Sequence, residues 1–238
     1  MGSGIYIPLS GAVAQQTALD VTANNVANAS TAGFRAERVS FGTVLGRASG
    51  KDSAFVQVGG TKPDFSKGSL RETGNPLDLA LAGDGFFAVD TPRGPRYTRA
   101  GDFRLDADGK LVNSDGLAAR ARGGGQLTVP REATDVVVGA DGTITADGAE
   151  IGALELARFA PGILQREGAN LFVAPAGAMT TAGQMPEVVA GAVEQANFSV
   201  VRGVVDLVKI SRAYEALHRM IESYKQIDER TAREVGGP

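Results

Sequence analysis

The chain has 238 residues, enough to bury a real core in one large or two modest domains. Its 24 basic and 27 acidic side chains leave a formal net charge of −3, which provides no broad electrostatic footprint for nucleic acid or an anionic membrane. Cysteine is absent, which excludes disulfides, thiolate metal sites and thiol nucleophiles together, and no apolar run approaches the roughly 20 residues of a membrane-spanning helix.

The first element in chain order is a helix over residues 5 to 28. Ile5, Ala12, Leu19 and Val26 recur every seven residues, while Leu9, Gln16 and Ala23 fill the alternate seam position. Pro8 is acceptable in a first turn, and the run Asn28-Ala29-Ser30-Thr31-Ala32-Gly33 stops the helix. Gly33 supplies the left-handed residue of that stop, with Phe34 folding back as an apolar latch. The start, Met1 to Pro8, has neither a basic region nor a continuous apolar stretch, so cleavage by the general secretory route is not indicated. Residues 42 to 53, rich in Gly and Ser, have the composition of a mobile loop.

From Ala54 to about Pro175, short apolar or alternating runs are separated by Gly, Asp, Asn and Pro, as in a meander of strands. The runs include Phe55 to Val58, Leu77 to Leu81, Phe86 to Asp90, Arg96 to Thr98, Phe103 to Leu105 and Leu111 to Asn113. They continue through Leu117 to Ala119, Leu127 to Val129, Val136 to Val138, Thr143 to Thr145, Ile151 to Phe159 and Leu171 to Val173. Asp-Gly pairs beginning at Asp84, Asp108, Asp115, Asp141 and Asp147 supply the left-handed positions that tight hairpins demand. No helix-length segment separates the runs, so the expectation is an antiparallel sandwich or barrel-like domain rather than βαβ units.

After Gly177 the chain reads as loop until Val188, and then a long helix follows, capped near Asn197 or Ser199 and running to about Ala232. Val200, Leu207, Tyr214 and Ile221 form one apolar row on it; Ile210, Leu217 and Tyr224 form the other. Gly203 costs about 1 kcal/mol relative to Ala inside a helix, which either a close neighbouring helix or a local break explains. The fold class is therefore α+β: an amino-terminal helical segment (1–33), a mainly β region (34–187) and a carboxyl-terminal helical segment (188–238), with the helices pairing as a coiled coil. Such stripes suggest self-assembly, although packing of both helices on the β region would use the same pattern.

The chemical-looking motifs have plainer readings. Gly83-Asp84-Gly85-Phe86-Phe87-Ala88 has the letters of a dinucleotide fingerprint but leads into a strand instead of a helix that could hold phosphate. Asp106-Ala107-Asp108-Gly109 lacks the further oxygen ligands of a calcium loop. His218 is the sole histidine and sits on the flank of the seam, so neither a multi-histidine metal site nor a simple relay triad follows from it. No catalytic residue, cofactor or metal ligand is expected. Two rival readings stay open on the residues alone: a cell-wall carbohydrate hydrolase using paired carboxylates, and an adhesin-like binding module on a helical stalk.

Gln15 to Phe34, containing Asn24, Asn25, Asn28, Gly33 and Phe34, closely resembles the amino-terminal signature of bacterial flagellar rod and hook proteins. Thr73-Gly74-Asn75-Pro76-Leu77-Asp78-Leu79-Ala80-Leu81 with Gly83-Asp84-Gly85-Phe86-Phe87, and then Tyr97 to Phe103, look like the start of that family's β domain. Gly191 to Phe198 and Arg212 to Glu215 are similar to its carboxyl-terminal signature, except that Gln195-Ala196-Asn197-Phe198 stands where Ser-Asn-Val is usual. The resemblance implies a structural subunit of the periplasm-crossing axle, with terminal helices forming an inner tube and the β domain an outer layer. It further implies partners among other rod subunits and copies of itself, passage through the flagellar type III export apparatus without signal cleavage, and no nucleic-acid or membrane-inserted partner. Within the family the wording lies nearest the proximal-rod branch, with the distal-rod branch second.

Overall fold

The computed structural model describes residues 5–48, 51–168, 170–175, 177–178 and 185–235. They divide into two compact units. One contains the residues up to Ala27, Glu37–Asp64 and those from Ser199 onward; the other contains Asn28–Ala36 and Phe65–Phe198.

The first unit holds helix α1 (Tyr6–Ala27), strands β1 (Glu37–Ala48) and β2 (Lys51–Pro63), and, at the other end of the sequence, helix α2 (Val200–Val235). The Ile5 carbonyl accepts the first helical hydrogen bond of α1, from Leu9, and the Ser199 carbonyl accepts that of α2, from Gly203. Ser199 is thus the cap position, as expected, while the Asn197 side chain is engaged elsewhere. α2 runs unbroken through Gly203, which is buried, so the local break is ruled out. Strands β1 and β2 form an antiparallel hairpin in which Phe41 faces Val58 and Val44 faces Phe55. The loop expected over 42–53 is therefore wrong for the described residues; Ser49 and Gly50 lie outside them. Gly42 and Gly46 look like breakers by composition, but Val39, Phe41, Thr43 and Val44 carry strand propensity across them and find partners on β2.

The second unit is built almost wholly of short antiparallel strands: β3 (Leu70–Glu72), β4 (Leu79–Ala82), β5 (Phe86–Thr91), β6 (Gly94–Thr98), β7 (Arg104–Leu105), β8 (Leu111–Val112) and β9 (Val136–Val138). The rest are β10 (Thr143–Ala146), β11 (Ala149–Ala153), β12 (Leu156–Ala157), β13 (Gln165–Arg166), β14 (Phe172–Val173), β15 (Glu187–Ala190) and β16 (Ala192–Glu194). Five of them form a sheet in the order β12-β5-β6-β14-β13, three form β11-β10-β9, and the remainder pair as β15-β4, β16-β3 and β7-β8. Each sheet is open. None closes on itself among the described residues, so the barrel-like alternative does not hold, whereas the α+β class does.

A core of Leu79, Leu81, Phe87, Val89, Phe103, Leu111, Leu127, Ile144, Leu154 and Val188 lies under these sheets, and a smaller aromatic cluster centres on Phe86 and Phe172. The Asp147-Gly148 turn has left-handed φ at both central positions, 48° and 81°, and joins Ala146 to Ala149 as the two-residue hairpin the sequence predicts. Asp84-Gly85 is different. There the left-handed residue is Gly83, and Gly85 is needed because a methyl group on it would stand 2.6 Å from Cγ of Pro186. The single run Ile151 to Phe159 is split into β11 and β12, and Leu117 to Ala119 and Leu127 to Val129 make only isolated bridges. Residues 187–194 are strands rather than loop and helix, because their partners, β4 and β3, lie more than a hundred residues earlier in the chain.

Candidate assembly interface

Within the first unit α1 and α2 pack against each other. Gly11 marks a close approach: a methyl group there would stand 3.3 Å from both Cδ1 and Cδ2 of Leu217. Of the residues placed on the seam from sequence, Ala12 and Ile221 are buried, and Ile5, Leu19, Val26, Leu207, Ile210, Tyr214 and Leu217 are half-buried. Leu9, Gln16, Ala23, Val200 and Tyr224 are exposed. Pro8 and Ala14, which the heptad leaves out, are buried as well. His218 is exposed, with its ring 4.5 Å from that of Tyr214 one turn away.

A second stripe escapes the heptad reading. Val201, Val204, Val205 and Val208 follow the i, i+3, i+4, i+7 rule along α2 and all are exposed, Val201 at 77%. On α1, Tyr6, Leu9 and Val13 likewise line up in the open. The signal was available in the spacing, but a search for one seam of period 3.5 passes over a second face of period 3.6. Covering such a valine on association is worth on the order of 1 kcal/mol.

The second unit is tied at its base by charges. Glu194, on β16, receives Arg35 Nη2 at 2.7 Å and Arg99 Nη1 at 3.1 Å, and the Gly68 N–H donates to the same carboxylate at 2.8 Å. All three charged side chains are at least 96% buried. Arg99 also donates to the carbonyls of Leu81 and Gly83. Burial pulls the Arg99 guanidinium down to about 10, against the opposing attraction of Glu194. One carboxylate thus holds two cations in a dry site, where losing the carboxylate is costly.

The remaining signature residues are architectural. Asn25 is buried and hydrogen-bonds the backbone of Glu37 on both its donor and its acceptor. Asn28 ends α1 by accepting the Thr31 N–H at its carbonyl, and Asn24 is exposed. Gly33, at φ 65°, tolerates no side chain, since a methyl group would fall 2.1 Å from the Arg99 carbonyl carbon. Phe34 is fully buried in the second unit under the Arg166 guanidinium, where it is a core residue. Gly74 takes a left-handed φ of 74°, and the Asn75 side chain accepts the Leu77 N–H and donates to Asp78. Asp78 in turn accepts the Gly191 N–H at its carbonyl. Leu77 packs against the main core and Phe86 belongs to the aromatic cluster. Among the described residues no group of three or more His, Cys, Asp or Glu is placed to hold a metal ion, and no helix is long and apolar enough to cross a membrane.

Three family models match this chain: flagella basal body rod protein over residues 5–35, flagellar hook protein FlgE/F/G D1 domain over 80–146, and flagellar basal body rod FlgEFG protein C-terminal over 189–234. The flagellar basal-body rod protein FlgF of Rhizobium meliloti (strain 1021) is 31% identical over 239 residues, covering all of this chain and 99% of its own length. The chain belongs to the flagellar basal-body rod protein family. FlgF of Mesorhizobium japonicum is 34% identical over 217 residues, covering 90% of each chain, and the rod protein FlgG of Bacillus subtilis (strain 168) is 31% identical over 252 residues, covering 94% and 95%. As a rod-family member this chain is a structural subunit of the flagellar basal body, assembled with other rod subunits, and not an enzyme. That decides against the hydrolase and the adhesin module. The two terminal family models fall on α1 and α2, the helices that carry the exposed stripes.

Proposed function

We propose that this rod subunit polymerises through its terminal helices, α1 and α2 pairing as a coiled coil and offering their outer faces to neighbouring subunits. The observation that carries this is the exposed valine stripe of α2. A face of that kind on one copy is matched by the same face on every other copy, so modest contacts repeat along a helical array and add by multivalency. In this reading the helices within residues 1–33 and 188–238, α1 and α2, supply the inner tube, residues 34–187 contain the outer β domain, and the polymer carries torque across the periplasm. The chain is exported by the flagellar type III apparatus without cleavage, a reading that rests on family resemblance.

Within the family we assign the chain to the proximal-rod protein FlgF, with the distal-rod protein FlgG as the runner-up. Full-length alignment to an FlgF of almost equal length supports this. The test of polymerisation is the triple variant Val201→Ser, Val204→Ser, Val208→Ser. Exposed positions of this kind each change stability by under about 0.5 kcal/mol, so the monomer melts normally while rod formation and motility are lost. Motile cells carrying the triple variant would defeat the proposal. The subtype is tested by complementation: the gene restores motility to a strain lacking FlgF and fails in one lacking FlgG, and the reverse pattern reverses the assignment.

A further inference from the structure

We propose that a cavity in the second unit, between Arg35, Arg99 and Arg158, binds a carboxylate on a short aliphatic stem. Its volume is about 230 Å³, below the roughly 300–1,000 Å³ typical of sites for drug-sized ligands and suited to one side chain. Phe86 and Phe159 line it together with the three arginines and Asp84.

The polar groups at this cavity are not used up by the fold. Arg35 is almost wholly buried and commits Nη2 to Glu194, yet its Nε and Nη1 have no partner among the described residues; Nε of Arg99 is in the same condition. Buried donors of this kind ordinarily have partners, so three unpaired nitrogens on two cavity-lining arginines point to a ligand acceptor. Arg158 is half-buried and forms no ion pair among the described residues. The opposing charges are already engaged: Glu194 by Arg35 and Arg99, and Asp84, at the exposed rim, by Lys67 at 3.1 Å. The hydrogen bond from Lys67, followed by its charge, holds the Asp84 carboxyl below the usual carboxylate range. What remains is a positive cavity with aromatic walls. A planar carboxylate fits the uncommitted Arg158 guanidinium edge through two parallel hydrogen bonds, and the aromatic walls take the methylene stem and exclude water. A cation is disfavoured by the same charges, and a wholly apolar ligand leaves the donors unpaired.

That chemistry has two sources, an Asp or Glu side chain of another polypeptide and a small free acid. Full-length protein with ¹⁵N-labelled arginine is titrated with acetyl-Gly-Glu-Gly-amide, with glutarate, and with acetyl-Gly-Gln-Gly-amide. The Nε–H signals of Arg35 and Arg99 shift saturably with the acid probes and not with the glutamine peptide. Arg158→Gln weakens binding about tenfold, the scale of one charge-assisted hydrogen bond, and Asp84→Asn strengthens it. Neither residue belongs to the Glu194 cluster, so folding is retained. Either acid probe binding supports the site: a tighter peptide identifies a protein source, and a tighter glutarate a free acid. Absence of a saturable shift with both acids, equal binding of the glutamine peptide, or weakening by Asp84→Asn overturns the proposal. The residues of the site belong to the second unit and the helix faces to the first, so either reading can fail without the other.

Discussion

Asn25 and Glu37 are joined in the manner of paired strand residues: Asn25 Nδ2 donates to the Glu37 carbonyl at 2.8 Å, and the Glu37 N–H donates to Asn25 Oδ1 at 2.8 Å. Opposite Glu37 on β2 stands Pro63, which has no N–H to give. The first residue of the hairpin therefore takes its hydrogen bonds from the helix. Asn25→Ala removes both hydrogen bonds between this side chain and the Glu37 backbone, at about 1–3 kcal/mol for each group that stays buried. Asn25→Asp keeps the acceptor but sets a carboxylate oxygen against a carbonyl, and is expected to be no milder. Amide exchange reads the effect directly, with faster exchange at Glu37 and along β1; unchanged protection there in Asn25→Ala would refute the account.

Glu194 is the second point of leverage. Glu194→Gln removes the charge that two buried guanidinium groups share, and stranding a buried charge costs about 3–5 kcal/mol. The urea midpoint of the second unit is expected to fall accordingly. Lys67→Gln makes the comparison, since Lys67 and Asp84 are both more than half exposed and such a pair contributes under about 1 kcal/mol. Equal losses from the two variants would show that burial at Glu194 has been given too much weight.

Ala36 and Ser66 are both held by one side chain. Asn197 accepts the Ala36 N–H at 2.7 Å and donates to the Ser66 carbonyl at 2.9 Å. Within the second unit the break in sequence between Ala36 and Phe65 is thus bridged by one side chain, and closing it with a short loop is cheap. Residues 28–36 joined to 65–198 by a short Gly-Ser linker are expected to unfold cooperatively, with a single transition by fluorescence and circular dichroism. Residues 65–187 alone lack Arg35, Glu194 and strand β16, and are expected to lack that transition. A cooperative transition in the shorter fragment would mean that the core under the sheets suffices without the charged base.

What could be read in the sequence was local. The Asp147-Gly148 turn, the extent of α1 and the Ser199 cap follow from interactions within a few residues, where propensity and spacing decide. Glu194 meeting Arg35 across 159 residues carries no local signature, nor does the pairing of β15 with β4, and so 187–194 reads locally as loop and helix. Composition misled at 42–53, because glycines that usually break strands are tolerated when β2 supplies cross-strand partners. On the helices, the expectation of a single seam concealed the valine stripe of α2.

Leu217 faces Gly11 where α1 and α2 meet, and Leu217→Asp puts a charge into that contact while removing an apolar side chain worth about 1.5–3 kcal/mol when fully buried. Leu217 is half-buried, so the lower end of that range is expected. Because α2 belongs to the first unit and the main core to the second, the loss should be confined to the helix pair. Amide exchange is then expected to quicken over α1 and α2 and to stay unchanged over β5, β6 and β10. Motility is expected to disappear, since the same defect recurs in every subunit of the polymer. Gly11→Val reaches the contact from the other side, where added methyl groups at 3.3 Å force the helices apart at about 1–3 kcal/mol. His218→Gln is the matched control: the ring is exposed and touches Tyr214 only edge-on, so motility and stability should both persist. Normal motility with Leu217→Asp would remove the helix pair from the assembly, and loss of motility with His218→Gln in a folded subunit would show that this histidine does more than flank the seam.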